Sequence, residues 1–376
     1  MNVRAIASFG LFILIYNGLS FYIGWNVWVW LNTSFSFESV WLYSLVFALL
    51  AYGYLIGRFS LSFFKIAGAY WIGFFQYALL LFPIANVVVF LLNRLTGVSL
   101  DSAIMYTGLV TALSLVVIFL IGTFQAYRPV KRTYSLSIPK QGARPSSIKI
   151  AMASDMHFGA LSGKGHLKRL VKEIEAIQPD MVVFPGDIID DSPDVFKKKN
   201  MGDVMKQIKA PLGVYGVLGN HEYYGRQVQE IINELAASGV TMLTDDSLLV
   251  DDRFYIAGRR DRTDKNRLSV EALLGDLDHH KPIILLDHQP FELDRAEQAG
   301  ADLMLSGHTH RGQMYPNNWI TRRMYEVDWG YLKKDSLHTI VSSGFGFWGP
   351  PLRIGSRSEI WEITVTMGTQ SKKRTT

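Results

Sequence analysis

The chain carries two hydrophobic patterns. From Met1 to Tyr127 apolar residues run almost without interruption, in four stretches at roughly 5–31, 40–57, 66–92 and 103–124. A helix needs about 20 residues to cross a bilayer, so each stretch is a predicted membrane span. A cleaved signal peptide fits the first stretch poorly: it is too long, no small-residue cleavage site follows, and three more apolar runs come after it. From Ile148 onward the pattern changes to short apolar runs alternating with amphipathic ones. Strands are predicted at 148–153, 181–184, 214–218, 254–257, 283–286 and 303–305, with 339–342 and 359–365 closing the chain. Helices are expected at 164–177, 195–208, 226–238, 270–274 and 292–299. Strands alternating with helices imply an α/β core, and the late strands imply a second sheet packed on the first.

Charge sharpens the division. Only Arg4, Glu38, Arg58, Lys65, Arg94 and Asp101 are charged before position 128, leaving 65 of the 71 charges to the remainder. The expected organisation is therefore an all-α transmembrane region of four helices over 1–127, a basic linker over 128–147 with a short strand near 133–138, an α/β domain over 148–366, and a polar basic tail over 367–376. With no cysteine, disulfides and thiolate metal sites are excluded. The net charge of +5 is modest. Its cluster at Arg128, Lys131, Arg132, Lys140 and Arg144 reads as a membrane-proximal feature, and no nucleic-acid partner is expected.

Lys and Arg in the short flanks set the orientation. Arg4, the Arg58–Lys65 loop and the cluster after the fourth run lie on one side, against Arg94 alone on the other, which puts both termini and the α/β domain in the cytoplasm. Trp25, Trp28, Trp30 and Trp41 suit an interfacial belt around the first connection. No ionisable group sits mid-span, which argues against a transporter. Asn17, Asn26, Gln76 and Asn86 are expected to bond between helices.

Five segments after strand-like runs carry the chemistry: Asp155-Met156-His157, Gly186-Asp187-Ile188-Ile189-Asp190, Gly219-Asn220-His221-Glu222, Asp287-His288 and Gly307-His308-Thr309-His310. Five of the nine histidines fall in them. Ligands in α/β proteins collect at the carboxyl ends of strands, so five such loops can converge. Asp155, His157, Asp187, Asn220, His288, His308 and His310 offer imidazole, carboxylate and amide donors, suited to Mn, Fe, Zn, Ni or Co rather than Ca. A pair of divalent ions, Mn first among them, can hold both oxygens of a displacement at phosphorus and lower the pKa of a bridging water to make hydroxide. Asp187 is the expected bridge, because Gly186 lets the backbone approach closely there. His166, His279, His280 and His338 lack such contexts and read as surface or structural.

The order Asp-x-His, Gly-Asp-x-x-Asp, Gly-Asn-His-Glu, His, Gly-His-x-His resembles the calcineurin-like metallophosphoesterases, over roughly 148–365. Ser343-Gly344-Phe345-Gly346, Pro351-Leu352-Arg353 and Glu359-Ile360 resemble the tail of that family's bacterial membrane-associated branch. The resemblance implies a four-layer α/β/β/α sandwich. It assigns Asp155, His157, Asp187 and His310 to one metal, and Asp187, Asn220, His288 and His308 to the other. It also makes His221 a phosphate-facing catalytic group and Arg353 an oxyanion contact. Asp190 would orient ligands or close its turn, and Glu222 could do either structural or site work.

The function expected is thus a membrane-anchored phosphoesterase acting on a phosphodiester or pyrophosphate bond, with a phosphorylated or diphosphate lipid as first substrate class. A soluble nucleotide-type diester with the spans as tether, or a signalling protein using the metal domain without catalysis, are the alternatives.

Overall fold

The computed structural model describes residues 3–57, 62–140 and 146–368. Arg58 and Arg144, which enter the charge argument, lie outside the described residues, as does the tail from position 369. The chain divides into two compact units, Met1–Gly122 with Gly349–Leu352, and Thr123–Trp348 with Arg353–Thr376.

The first unit is helical: α1 (Val3–Phe35), α2 (Val40–Ala51), α3 (Gly53–Gly57), α4 (Ser62–Thr96) and α5 (Leu100–Tyr127). Among the described residues, three helices are long and apolar enough to cross a membrane, at Ile6–Phe35, Phe63–Thr96 and Leu100–Tyr127. The second apolar run, expected as a single span, is instead broken at Tyr52 into α2 and α3. The 12 residues of α2 reach only about 18 Å along the axis, short of a hydrocarbon core about 30 Å thick. Gly53 and Gly68 let α3 and α4 touch backbone to backbone, where a Cβ on Gly68 would collide with Tyr54. Polar links join the helices as expected at two places: Asn86 Nδ2 donates to the Tyr22 hydroxyl at 2.9 Å, and the Tyr52 hydroxyl donates to Asn17. Asn26 bonds within its own helix, to the Tyr22 carbonyl at 2.8 Å.

The second unit is an α/β fold. Among the described residues its strands are β1 (Val130–Ile138), β2 (Ser146–Met152), β3 (Met181–Pro185), β4 (Val214–Val217), β5 (Thr241–Met242), β6 (Asp246–Val250), β7 (Phe254–Gly258), β8 (Ile283–Leu286), β9 (Leu303–Ser306), β10 (Gly330–Lys334), β11 (Leu337–Val341) and β12 (Glu359–Met367). They form two six-stranded mixed sheets, ordered β1-β12-β2-β3-β4-β5 and β10-β11-β9-β8-β7-β6. Successive side chains on a strand point to opposite faces. Ile150, Val183, Val217, Ile284, Leu286 and Ile340 therefore fill a core between the sheets. Their neighbours Ala151, Val182 and Phe184 pack outward on Leu167, Leu170 and Ile174 of α6 (Lys164–Ile177), and Ile283 and Leu285 on Leu274 and Leu293. Burial on both faces is why these strands read as continuous apolar runs. The result is the four-layer α/β/β/α sandwich.

The expected linker is largely strand. β1 pairs in parallel with β12 along its full length, from Val130↔Glu359 to Ile138↔Met367. Basic residues of the linker face acids: in β1, Lys131 lies 2.7 Å from Glu362 and Arg132 3.2 Å from Glu359, and beyond it Lys140 lies 2.7 Å from Asp302. The helix expected over 195–208 is two short ones, Asp194–Lys198 and Gly202–Met205. Asn200 takes a left-handed conformation (φ 48°) between them, which ends the first. The edge strands β5, β6 and β10 carry polar, partly exposed residues that mask the strand signal.

Candidate metal centre

Each predicted ligand loop leaves the carboxyl end of a strand. Asp155 and His157 follow β2, Asp187 follows β3, and Asn220 and His221 follow β4, all neighbours in one sheet. His288 follows β8 and His308 and His310 follow β9, neighbours in the other. Asp155, His157, Asp187, His308 and His310 all have left-handed backbones, with φ between 45° and 72°. A side chain in that region costs on the order of 1–3 kcal/mol, so surrounding structure must impose it. Two glycines make the close approach possible. A Cβ on Gly186 (φ 87°) would collide with the His288 ring, and one on Gly219 with the Asp187 carboxylate.

The side chains form two clusters sharing one carboxylate. Asp155, His157 and His310 present donor atoms within 4.8 Å of one another, as do Asp187, His288 and His308. In the first, His157 Nε2 and His310 Nε2 are 3.1 Å apart, and His310 Nε2 is 3.6 Å from Asp155 Oδ1. In the second, His288 Nε2 lies 3.2 Å from Asn220 Oδ1. Asp187 Oδ2 stands between them, 3.7 Å from His157 Nε2 and 3.3 Å from His288 Nε2. All seven predicted ligands are thus brought together, and Asp187 occupies the shared position expected of a bridge.

Electrostatics fit a cation pair. Burial holds His157 down at about 3 and His308 at about 4, and keeps His310 well below its ordinary value, so these rings are neutral and able to ligate. Burial raises Asp155 to about 6. Burial also disfavours charge on Asp187, but His288, His157 and His221 outweigh it and hold the carboxyl well below its usual range. His288 responds in the opposite sense, raised well above its usual value by Asp187 despite burial. Two buried carboxylates facing mostly neutral imidazoles leave negative charge that cations would neutralise. His288 Nδ1 is fixed by the Pro185 carbonyl at 2.8 Å, aiming Nε2 inward. The residues present therefore suit two divalent ions.

His221 sits at the edge of both clusters, its ring 4.6 Å from that of His157. Its Nδ1 is 2.7 Å from Asp191 Oδ1 and 3.9 Å from Asp190 Oδ1. Burial opposes its charge, yet the bond to Asp191 with the fields of Asp187 and Asp190 raises it to about 9. Asp191 is thus the residue the motif reading missed; its only signal was adjacency to Asp190, and the turn decides which carboxylate reaches the ring. Exposed Tyr224 and Trp348 flank His221, at 5.1 and 6.3 Å between ring centroids.

One expected role changes and one open role is decided. Arg353 is wholly buried, and its Nη2 donates to the carbonyls of Ser343 (2.6 Å) and Gly346 (2.7 Å) and lies 3.2 Å from His310 Nδ1. A guanidinium spent on carbonyls has no open face for an oxyanion; Arg353 braces His310 and its loop. Glu222 is structural: its carboxylate accepts from the backbone N–H of Asp187, Ile188, Ile189 and Gly219 at 2.6–3.2 Å, pinning the β3 loop to the β4 loop. His166 and His338 are buried against the Phe345 carbonyl and the Tyr331 hydroxyl, and His279 and His280 are exposed, as expected.

Residues 148–312 match the calcineurin-like phosphoesterase family. A metallophosphoesterase of Aquifex aeolicus is 32% identical over 231 residues, covering 58% of this chain and 85% of that protein. The chain belongs to the calcineurin-like metallophosphoesterases. A Danio rerio protein described as a transmembrane protein with metallophosphoesterase domain is 33% identical over 262 residues, 65% of this chain. The chain spans 59% of that relative's length. A crystal structure from Thermus thermophilus is similar over 54% of this chain and 92% of its own, at 13% identity and a TM-score of 0.37. Family membership agrees with the sequence reading, and the apolar helices agree with a membrane protein, though among the described residues three rather than four are long enough to span.

Proposed function

We propose that this chain is a membrane-anchored two-metal phosphoesterase that hydrolyses a phosphodiester or diphosphate bond in a lipid-linked substrate. One observation carries the reading: Asp187 Oδ2 lies between His157 and His288, the inner members of two ligand clusters, with His221 at their rim. Asp155, His157, Asp187 and His310 would hold one ion, and Asp187, Asn220, His288 and His308 the other, with Mn the first choice. Such a pair supplies Lewis acidity toward the phosphoryl oxygens and a water made nucleophilic at neutral pH. The chain's own residues do the rest. With Nδ1 bound to Asp191, His221 carries its transferable proton on Nε2, where it meets developing charge on phosphorus or protonates the leaving oxygen. Tyr224 and Trp348 wall the approach beside it. The charge bias of the apolar region supports a multi-pass cell-membrane protein with this domain in the cytoplasm.

The test is hydrolysis of bis-(p-nitrophenyl) phosphate and p-nitrophenyl phosphate by metal-stripped protein, with Mn²⁺, Zn²⁺, Ni²⁺ or Mg²⁺ restored. Turnover that returns with metal and is lost in Asp187→Asn and His221→Ala supports the reading, and the diester-to-monoester ratio assigns the bond. No turnover with any metal, on these esters and on lipid diphosphates alike, refutes it. A reporter fused after Thr376 that is active only outside the cytoplasm would reverse the orientation.

A further inference from the structure

The helix Asn318–Met324 is built inside out. Its inward positions, Asn318, Thr321 and the following Tyr325, fall at helical spacing and are mostly polar; Thr321 donates to Asp328 Oδ2 at 2.7 Å. Its outward face exposes Trp319, Ile320 and Met324, each 59% accessible, with Arg322 and Arg323 between them. Tyr315, 42% exposed, stacks edge-on against Trp319 at 5.3 Å. A helix facing water would show the reverse pattern.

This face borders the metal centre. It begins eight residues after the ligand His310, and Thr309 donates to the backbone of Asp328, the residue that also holds Thr321. Gln313, between the ligand loop and the helix, clasps the backbone of Trp348 through two bonds of 2.8 and 2.9 Å, and Trp348 flanks His221. Gln313 thus ties Trp348, beside His221, to the segment that leads into the helix.

We propose that Tyr315, Trp319, Ile320 and Met324, with Arg322 and Arg323, form a docking surface for an anionic lipid bilayer, and that it brings the metal centre to phosphate held in the headgroup layer. Three observations choose a bilayer over a protein partner. Tryptophan and arginine interleaved on one short face are what an interfacial helix carries, with rings at headgroup depth and cations on lipid phosphate. The chain's own apolar helices imply a bilayer nearby, and only Arg128 and Pro129 separate α5 from β1. Of the basic residues after α5, Lys131, Arg132 and Lys140 are paired with Glu362, Glu359 and Asp302 rather than left for lipid phosphate. A second copy docking on the same face would set Arg322 and Arg323 against themselves. The inference deepens the lipid-substrate reading and rests on it for its purpose, though the surface itself can be tested without catalysis.

The chain has no cysteine, so one introduced thiol is unique. Full-length protein with Ile320→Cys, or with Leu248→Cys on the exposed edge strand β6 as control, is spin-labelled and placed in nanodiscs of phosphatidylcholine with or without phosphatidylglycerol. In anionic discs the label at 320 should favour oxygen over a nickel chelate as collision partner, and the label at 248 the chelate. Arg322→Gln with Arg323→Gln should return label 320 to water, and should lower turnover of a bilayer-resident phosphodiester about tenfold or more while leaving bis-(p-nitrophenyl) phosphate turnover unchanged. A label at 320 as water-exposed as that at 248 overturns the proposal. So does shielding from both reagents with spin–spin broadening that disappears on dilution with unlabelled chain, which marks a second copy. Immersion of label 320 in protein that hydrolyses no phosphoester supports the surface and refutes the catalytic reading alone.

Discussion

The two sheets contribute unequally to the metal centre. The loops after β2, β3 and β4 supply both carboxylates, the amide of Asn220, and His157 and His221. The loops after β8 and β9 supply imidazoles alone: His288, His308 and His310. The supports differ accordingly. Acidic loops are held by hydrogen-bond donors, as where the N–H of His308 donates to Asp155 at 2.8 Å and that of His221 to Asp187 at 3.0 Å. The imidazole loops are held from behind, by the Pro185 carbonyl at His288 and by Arg353 at His310. One sheet thus contributes the carboxylate charge that suits cations, and the other contributes imidazoles alone. Loss of Asp187, the one ligand both clusters share, should therefore reach both ions, and losses on the imidazole side only one.

The largest expected effect follows from the shared position of Asp187. Asp187→Asn should empty both sites and lower turnover by roughly 10³-fold or more, the scale set by several kcal/mol of metal-derived stabilisation. His308→Ala should release one ion and leave the other, so metal analysis by mass spectrometry separates the two variants. Loss of both ions in His308→Ala would break the comparison. His221→Ala comes next, at roughly 10²–10⁴-fold in kcat with both ions retained, because its contribution is a positioned proton rather than a metal bond.

Glu222 tests the acidic side's scaffold. Burial, with Asp187 close by, pushes its carboxyl up to about 8, yet four N–H donors surround it, an environment that favours the ionised form. Glu222→Ala would leave those buried donors unsatisfied. It should cost about 3–5 kcal/mol in chemical denaturation, the range for removing one partner of a buried charged network. Arg353→Met on the opposite side removes a guanidinium that several carbonyls share. It should destabilise by a similar mechanism while lowering affinity for the ion at His310, and a stability loss with unchanged metal affinity would show that the brace and the ligand are independent.

The ligands were legible because they stand at strand ends, and strands buried on both faces announce themselves as apolar runs. Asp155, Asp187, His288 and His308 could be placed in one pocket from that pattern alone. Their backbone conformations could not: a left-handed Asp187 depends on Glu222 and Gly219 reaching it across 35 and 32 positions of chain. Arg353 was misread for a similar reason, since a motif gives the residue but not which carbonyls enclose it. Strand β1 was expected only from about 133, because Lys131 and Arg132 at its start become ordinary strand residues only once β12 supplies Glu359 and Glu362 opposite them. The break in the second apolar run also escaped detection, because composition counts apolar residues and says nothing of the turn at Tyr52.

The subtlest prediction concerns Asp191, which links the acidic loops to the proton on His221. In the proposed mechanism His221 acts protonated, so activity should fall as pH rises through its pKa. The carboxylates at Asp191, Asp187 and Asp190 raise that value to about 9 against burial, and two bound cations would draw it lower. Asp191→Asn removes one of those charges and leaves His221 at most a neutral hydrogen bond to an amide oxygen, while keeping the side chain's size. The alkaline limb of kcat/KM should therefore move to lower pH, with activity at about pH 6 nearly preserved and activity at about pH 8.5 reduced several-fold. Asp190→Asn, acting at 3.9 Å without that bond, should shift the limb less. An unmoved limb in Asp191→Asn would mean that the metals or the substrate, rather than His221, govern the alkaline loss, and that the sheet supplying the charge does not also set the proton.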